Sequence, residues 1–248
     1  MHPRKWPRAV ALMLAATLAG CAAAQPHPPV QLGADSRLRV AAAAEAAGDD
    51  DLAASMYSTA AGAAGADTTL LLRCAEGLAR LGHPAEARQL LAARAAASHG
   101  DPDVVRTLAA LDLNAGQPAA AIAGLDVALA ARPGDVAALV DKAVALDLQS
   151  RHGDAQALYY RALLAAPGDT AILNDLAMSL LLDGHVQDAI AVLAPVQDAV
   201  GLPDRARTNL GVMYALAGDA ERGRRLIGRD LSDLYLAEIA KAVGAAGP

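Results

Sequence analysis

Small residues recur every 34 positions through most of this 248-residue chain. One ladder consists of glycines with a single serine: Gly48, Gly82, Gly116, Ser150, Gly184 and Gly218. Two ladders contain alanine or glycine: Ala41, Ala75, Ala109, Ala143, Ala177 and Gly211, and Ala53, Ala87, Ala121, Ala155, Ala189 and Gly223. A fourth ladder contains large side chains: Tyr57, Leu91, Leu125, Tyr159, Leu193 and Ile227. Four ladders with one period indicate a chain built from repeated structural units.

The period divides residues 34–237 into six units, and each unit is predicted to contain two helices. The units are 34–67, 68–101, 102–135, 136–169, 170–203 and 204–237. In the fourth unit, helices are predicted over 136–148 and 154–165, with a turn between them. The glycine ladder lies where each first helix ends, a position that favours a left-handed residue. The small-residue ladders lie mid-helix, where they allow helices to approach closely. We therefore expect an all-α solenoid without a sheet.

The spacing resembles the tetratricopeptide repeat (TPR), a helix-turn-helix unit of this length. The resemblance is carried in the fourth unit by Leu139, Ala143, Leu146, Ala155, Tyr159, Ala162 and Pro167, and in the sixth by Asn209, Leu210, Gly211, Tyr214 and Gly218. It implies a right-handed α-solenoid of six TPR repeats whose first helices line a concave groove. An amphipathic helix over 231–243 is expected to cap the last apolar face of the stack, and 244–248 to form a tail.

The first 20 residues resemble a bacterial lipoprotein signal peptide. A basic start is followed by an apolar run over 9–18, which is too short to span a bilayer. The run ends in Leu18-Ala19-Gly20-Cys21, which resembles a lipobox. This implies cleavage before Cys21 and a covalent lipid on that residue, with residues 21–33 forming a lipidated, proline-containing tether. The alternative is an ordinary signal peptide with an incidental cysteine.

The charge of the chain restricts its partners. Loss of residues 1–20 would leave 18 of the 21 basic residues against 27 acidic ones, a formal charge of −9. Such a surface disfavours nucleic acid and anionic lipid head groups, so membrane attachment would come from the lipid on Cys21. Ala22, rather than an aspartate, follows Cys21 and favours the outer membrane over the inner. The predicted location is therefore the outer membrane, facing the periplasm.

The sequence contains no pattern typical of an enzyme or a metal site. His83, His152 and His185 are expected in exposed turns between helices, and no histidine pair has zinc-site spacing. Neither a phosphate-binding glycine loop nor a G-x-S-x-G motif is present. Cys74 takes a position held by leucine in other units and is expected to be a buried thiol. We therefore predict no catalysis, no metal, no small-molecule substrate and no cofactor.

Two charged residues interrupt the apolar pattern of the first helices. Asp112 takes a position filled by leucine or tyrosine in other units, and Lys142 takes one filled by leucine. Because a partly buried charge needs a partner, we predict that Asp112 and Lys142 form an ion pair between adjacent units. The alternative is that both side chains point to solvent.

The TPR resemblance also implies which residues face the concave groove. They are Val140, Val144, Leu148, Asn174, Met178, Leu181, Arg205, Thr208, Met213 and Leu216. Apolar residues dominate this set, which favours an amphipathic helix or an extended segment of a partner protein. The alternative is that several of them belong to the core between repeats.

A narrower resemblance covers residues 139–232, together with the lipobox and the tether. In this region the chain is similar to the TadD lipoproteins of the tight-adherence (Tad, or Flp) pilus machinery, through the segments LDLQSRHGDAQALYYRALLAAPGDTAILNDLAMSLLLDGHVQDAIAVL and RARTNLGVMYALAGDAERGRRLIGRDLS. This implies a non-catalytic scaffold for pilus assembly and secretion, acting as a pilotin for the outer-membrane secretin. The alternative is a general envelope adaptor that docks peptidoglycan enzymes or outer-membrane assembly factors.

Overall fold

The computed structural model describes residues 32–198, 202–227 and 241. Cys21, the signal peptide, most of the tether and nearly all of the expected capping helix over 231–243 lie outside the described residues. Within the described part, every regular element is a helix. The expectation of an all-α repeat fold is confirmed.

The helices alternate in two sets. The first helices of the units are α1 (Ala34–Ala46), α3 (Thr68–Arg80), α5 (Pro102–Asn114), α7 (Val136–Asp147), α9 (Thr170–Leu182) and α11 (Asp204–Leu216). The second helices are α2 (Asp50–Gly62), α4 (Pro84–Ala97), α6 (Pro118–Ala131), α8 (His152–Ala165), α10 (Val186–Leu193) and α12 (Ala220–Ile227). A 3₁₀ turn over Ala194–Val196 follows α10. No helix in the described part of the chain is both long and apolar enough to cross a bilayer.

Each helix packs on the next, and each first helix also contacts the first helix of the following unit. The first helices therefore form one continuous layer. The small ladders supply the close contacts, because Ala41, Ala53 and their equivalents are almost fully buried. Tyr57, Leu91, Leu125 and Tyr159 fill the space beside them.

The helix ends follow the local sequence. Ser150 has a φ of +59°, close to the +69° of Gly116 on the same ladder, so the serine adopts the left-handed conformation that glycine supplies elsewhere. Asp67, Asp135 and Asp169 each accept a hydrogen bond from a backbone N–H in the first turn of the following helix. Aspartate caps and left-handed ladder residues thus mark the two ends of α3, α7 and α9.

Candidate functional site

Two grooves of about 200 Å³ lie in equivalent register between first helices of adjacent units. The 1/2 groove, between units one and two, is lined by Leu38, Ala42, Glu45, Tyr57, Arg73, Glu76 and Arg80. The 4/5 groove, between units four and five, is lined by Val144, Asp147, Leu148, Tyr159, Asp175, Met178, Ser179 and Leu182. Each combines two first helices with the tyrosine of the intervening second helix. The two grooves can therefore be compared position by position.

The 1/2 groove contains a carboxylate that is paired within the chain. Tyr57 Oη donates a 2.6 Å hydrogen bond to Glu45 Oε2. Arg80, from the next unit, donates from Nε to Oε1 at 3.0 Å and from Nη2 to Oε2 at 3.1 Å. The hydrogen bond from Arg80, followed by that from Tyr57, holds the pKa of Glu45 below its usual value. The charge at this position is thus balanced by the protein itself.

The 4/5 groove has the same carboxylate–tyrosine pair but different partners. Asp147 Oδ1 lies 2.8 Å from His152 Nδ1 and accepts a 2.7 Å hydrogen bond from Ser179 Oγ. Tyr159 Oη donates to Asp147 Oδ2 at 3.2 Å. These donors come from α8 and α9, so the carboxylate at the end of α7 is held from both neighbouring helices. Burial, and then the charge of Asp147, raise the pKa of Tyr159.

A second carboxylate faces the same groove. Asp175 on α9 accepts a 3.1 Å hydrogen bond from Asn174 Nδ2, and Arg205 Nη2 lies 3.9 Å from its Oδ1. Burial is the largest influence on the Asp175 carboxyl and raises its pKa, despite the opposing effects of Asn174 and Arg205. The side chain of Arg205 is 62% exposed, so its pairing with Asp175 is weak. The 4/5 groove is therefore acidic at its floor and apolar along Val144, Leu148, Met178 and Leu182.

The predicted groove residues divide into surface and core. Val140, Val144, Met178, Thr208 and Leu216 are partly exposed, and Leu148 and Arg205 are exposed. Of the ten, Val144, Leu148 and Met178 line the 4/5 groove.

The prediction was wrong for three residues, because Asn174, Leu181 and Met213 are buried. Leu181 belongs to the core of units four to six. Met213 is fully buried in the same core. Asn174 accepts a 2.8 Å hydrogen bond from Asn209 of the next unit and links units five and six.

The prediction for His152 was also wrong. His83 and His185 are exposed residues that precede second helices, whereas His152 is the first residue of α8 and only 5% exposed. Its Nδ1 faces Asp147, and its Nε2 has no hydrogen-bond partner. One sequence signal points to this site: an acidic residue twelve positions before the ladder tyrosine occurs in units one and four, as Glu45–Tyr57 and Asp147–Tyr159.

The cluster of Asp147, His152 and Ser179 does not have the geometry of a nucleophilic triad. Ser179 Oγ donates to Asp147 rather than to His152, so the histidine is not placed to activate the hydroxyl. No group of three or more metal-ligating side chains occurs among the described residues. Cys74 is fully buried, and burial raises the pKa of its thiol to about 11, which makes it unreactive.

The predicted ion pair between Asp112 and Lys142 was wrong, although each residue does have a partner. Arg88 Nη2 lies 2.6 Å from Asp112 Oδ1. Lys142 Nζ lies 2.5 Å from Asp126 Oδ1. In both cases the partner comes from the second helix of the preceding unit, α4 or α6, rather than from the neighbouring first helix. The second helices are closer to these positions, which unit spacing alone could not reveal.

No protein-family model matches the chain, and no curated protein matches it in sequence. Solved structures of similar shape do exist. A tetratricopeptide repeat protein from Parabacteroides merdae is 14% identical, with 88% of this chain and 87% of that one aligned at a TM-score of 0.67. The chain has the tetratricopeptide-repeat fold.

Two other solved structures have a similar fold, and the description of one of them names pilus biogenesis. PilW, described as a widely conserved type IV pilus biogenesis factor, is 20% identical. The alignment covers 78% of this chain and 90% of the PilW chain, with a TM-score of 0.67. PilF of Pseudomonas aeruginosa is 12% identical. The alignment covers 84% of this chain and 96% of PilF, with a TM-score of 0.62. At these identities the likeness shows the TPR fold alone. A TPR fold with open grooves on its first-helix layer is suited to binding proteins.

Proposed function

We propose that this chain is a non-catalytic TPR scaffold lipoprotein for the assembly and secretion of tight-adherence pili. In this proposal, lipid on Cys21 anchors it to the outer membrane, and the first-helix layer acts as a pilotin for the secretin. The observation that carries the scaffold role is the 4/5 groove, whose Asp147 carboxylate is fixed by side chains from two other helices. A surface held in this way is organised before a partner arrives, which reduces the entropy lost on binding.

The pilus assignment has two supports. PilW, of similar fold, is described as a pilus biogenesis factor. The lipobox at 18–21 and the resemblance of residues 139–232 to TadD lipoproteins point to the same class of envelope machine. A multiply acylated cysteine would hold the scaffold on the membrane permanently, because two acyl chains already give stable anchoring. The groove would then carry secretin subunits to the outer membrane.

The proposal is tested by secretin assembly in a strain that lacks this protein and in one that carries Cys21→Ser. We expect secretin multimers to be lost from the outer-membrane fraction of both strains and restored by the wild-type gene. Normal multimers in the outer membranes of both strains would reject the pilotin role.

Lipid attachment is measured separately, by incorporation of radiolabelled palmitate. We expect label in the wild-type protein and none in Cys21→Ser. Label retained in Cys21→Ser would reject the anchor and leave the scaffold role to be judged from secretin assembly in the deletion strain.

A further inference from the structure

The 1/2 and 4/5 grooves differ at the positions that balance charge. Arg80, which pairs with Glu45 in the 1/2 groove, is replaced three units later by Leu182. Arg73, which also lines the 1/2 groove, is replaced by Asp175. Glu76 of the 1/2 groove is in turn replaced by Met178, so each groove is lined by two carboxylates. The 4/5 groove therefore keeps the acid–tyrosine pair and the number of carboxylates but has lost both arginines.

Other side chains in the described part of the chain do not fully replace the positive charge of Arg73 and Arg80. No lysine or arginine nitrogen there lies within 4.0 Å of the Asp147 carboxylate. The nitrogen base beside Asp147 is His152, whose Nδ1 lies 2.8 Å from Oδ1 and whose buried Nε2 has no hydrogen-bond partner. Arg205 lies 3.9 Å from Asp175 and is mostly exposed. The groove is thus left with an excess of negative charge.

Asp147 can still accept a further hydrogen bond. A carboxylate has about four acceptor sites, and three are used by His152, Ser179 and Tyr159. The remaining site is on Oδ2, the oxygen that accepts from Tyr159. In the 1/2 groove the corresponding oxygen, Glu45 Oε2, accepts from both Tyr57 and Arg80. The internal comparison therefore shows what kind of group fits at this place.

We infer that the 4/5 groove binds a lysine or arginine side chain of the partner protein, flanked by apolar residues. The ammonium or guanidinium group meets Asp147 and Asp175, in the role that Arg80 plays in the 1/2 groove. The aliphatic stem and its apolar neighbours pack on Val144, Met178 and Leu182, as long basic side chains commonly do on apolar surfaces. This inference rests on the proposed function, since it names the chemistry of the partner segment that the scaffold recognises.

The direct test uses two short peptides and the full protein purified in a non-ionic detergent. One peptide has a central lysine flanked by leucine and alanine, and the other has norleucine at the centre. Norleucine keeps the aliphatic stem and removes the charge, so the difference between the peptides isolates the ammonium group. We expect the lysine peptide to bind about tenfold more tightly, the usual order for a charge-assisted hydrogen bond in a partly buried site. Equal binding of the two peptides would overturn the inference.

Protein variants locate the binding site. Leu182→Arg supplies the missing cation from within the chain and should remove the preference for lysine. Leu182→Gln removes the same apolar contact without adding charge, so it should weaken binding of both peptides and leave the lysine preference in place. Asp147→Asn and Asp175→Asn should each reduce the preference. Asp51→Asn removes the same charge from an exposed position on α2 and serves as the control for general electrostatic attraction. A preference that survives in Leu182→Arg and Asp147→Asn would contradict binding at this groove.

The test separates this inference from the function on which it rests. Circular dichroism of each variant identifies any that fails to fold, and the two-peptide comparison on wild-type protein does not depend on them. If secretin assembly requires the protein but proceeds normally with Leu182→Arg, the basic-segment inference fails and the scaffold role stands. If deletion leaves secretin assembly normal while the lysine preference follows the variants, the groove chemistry stands and the pilotin role fails.

Discussion

Tyr159 Oη donates a hydrogen bond to Oδ2 of Asp147, joining the second helix of the fourth repeat to the end of its first helix. The equivalent bond joins Tyr57 to Glu45 in the first repeat. In both repeats the tyrosine ring fills the ladder position in the core and the hydroxyl reaches the groove. One side chain therefore contributes both to packing and to the shape of the candidate site.

Removal of this hydroxyl should destabilise the fold. Tyr159→Phe keeps the ring but takes a donor from a partly buried carboxylate, so we expect the free energy of unfolding to fall by about 1–2 kcal/mol. Urea unfolding followed by circular dichroism measures the loss. Tyr160→Phe is the matched control, because Tyr160 is the next residue and is 52% exposed. Equal effects of the two substitutions would show that the bond to Asp147 contributes nothing.

The acidic floor of the 4/5 groove should lower stability at neutral pH. Burial raises the folded-state pKa of Asp175 above its usual 3.8, so the folded state binds this proton more tightly than the unfolded chain. The contribution of Asp175 to stability is therefore present at low pH and is lost as the pH rises through the raised pKa. Asp175→Asn, which keeps an acceptor for Asn174, should be more stable than wild type at about pH 7 and should lose that advantage at about pH 3.5.

Thermal unfolding of both proteins at the two pH values measures the effect. The same substitution should weaken binding of the lysine peptide, so the carboxylate would improve function at a cost in stability. A variant that is less stable than wild type at neutral pH would show that burial of the Asp175 charge is not the dominant effect.

The Arg88–Asp112 ion pair should respond differently to loss of each partner. Asp112 is buried, with a side chain 9% exposed, whereas that of Arg88 is 29% exposed. Arg88→Ala leaves a buried carboxylate without its partner and should cost about 2–3 kcal/mol. Asp112→Leu restores the residue that most other units carry and leaves an arginine that can reach water, so it should be neutral or stabilising. Chemical denaturation of both variants measures the difference, and a larger loss in Asp112→Leu would contradict this explanation.

The last repeat should not tolerate a methyl group where its two helices cross. A Cβ on Gly223 would lie 2.6 Å from the backbone oxygen of Gly211, which cannot move aside without displacing α11. Gly223→Ala should therefore destabilise the sixth unit by about 1–3 kcal/mol. Gly153→Ala on α8 is the control, since its Cβ would meet no atom within 4 Å. Hydrogen exchange resolved by segment distinguishes loosening of α11 and α12 from global unfolding.

The sequence period was sufficient to predict the helical architecture, because each ladder reports a requirement that every unit shares. Ser150 shows the strength of this signal, as its position on the glycine ladder predicted a left-handed residue. The sequence period could not predict contacts that differ between units. The partners of Asp112 and Lys142 come from second helices, and the choice among nearby acids and bases depends on side-chain reach rather than on spacing.

The candidate site was only partly predictable for a related reason. Val144, Leu148 and Met178 were expected from the TPR resemblance, whereas the acidic floor depends on which residues differ from their equivalents three repeats away. The sequence shows that Leu182 takes the position that Arg80 has in the second unit. The effect on groove charge follows only from the structure, in which Arg80 is hydrogen-bonded to Glu45. The burial of His152 was missed because α8 begins two residues earlier than predicted.

The most direct test of the scaffold account is site-specific photo-crosslinking in cells that assemble the pili. A photoreactive residue at Met178 in the 4/5 groove is compared with one at Tyr160, which is exposed on a second helix. We predict a covalent adduct with the secretin, identified by mass spectrometry, from position 178 but not from 160, and its loss when Leu182→Arg is added. Absence of a secretin adduct from position 178, or an adduct unchanged by Leu182→Arg, would contradict the account.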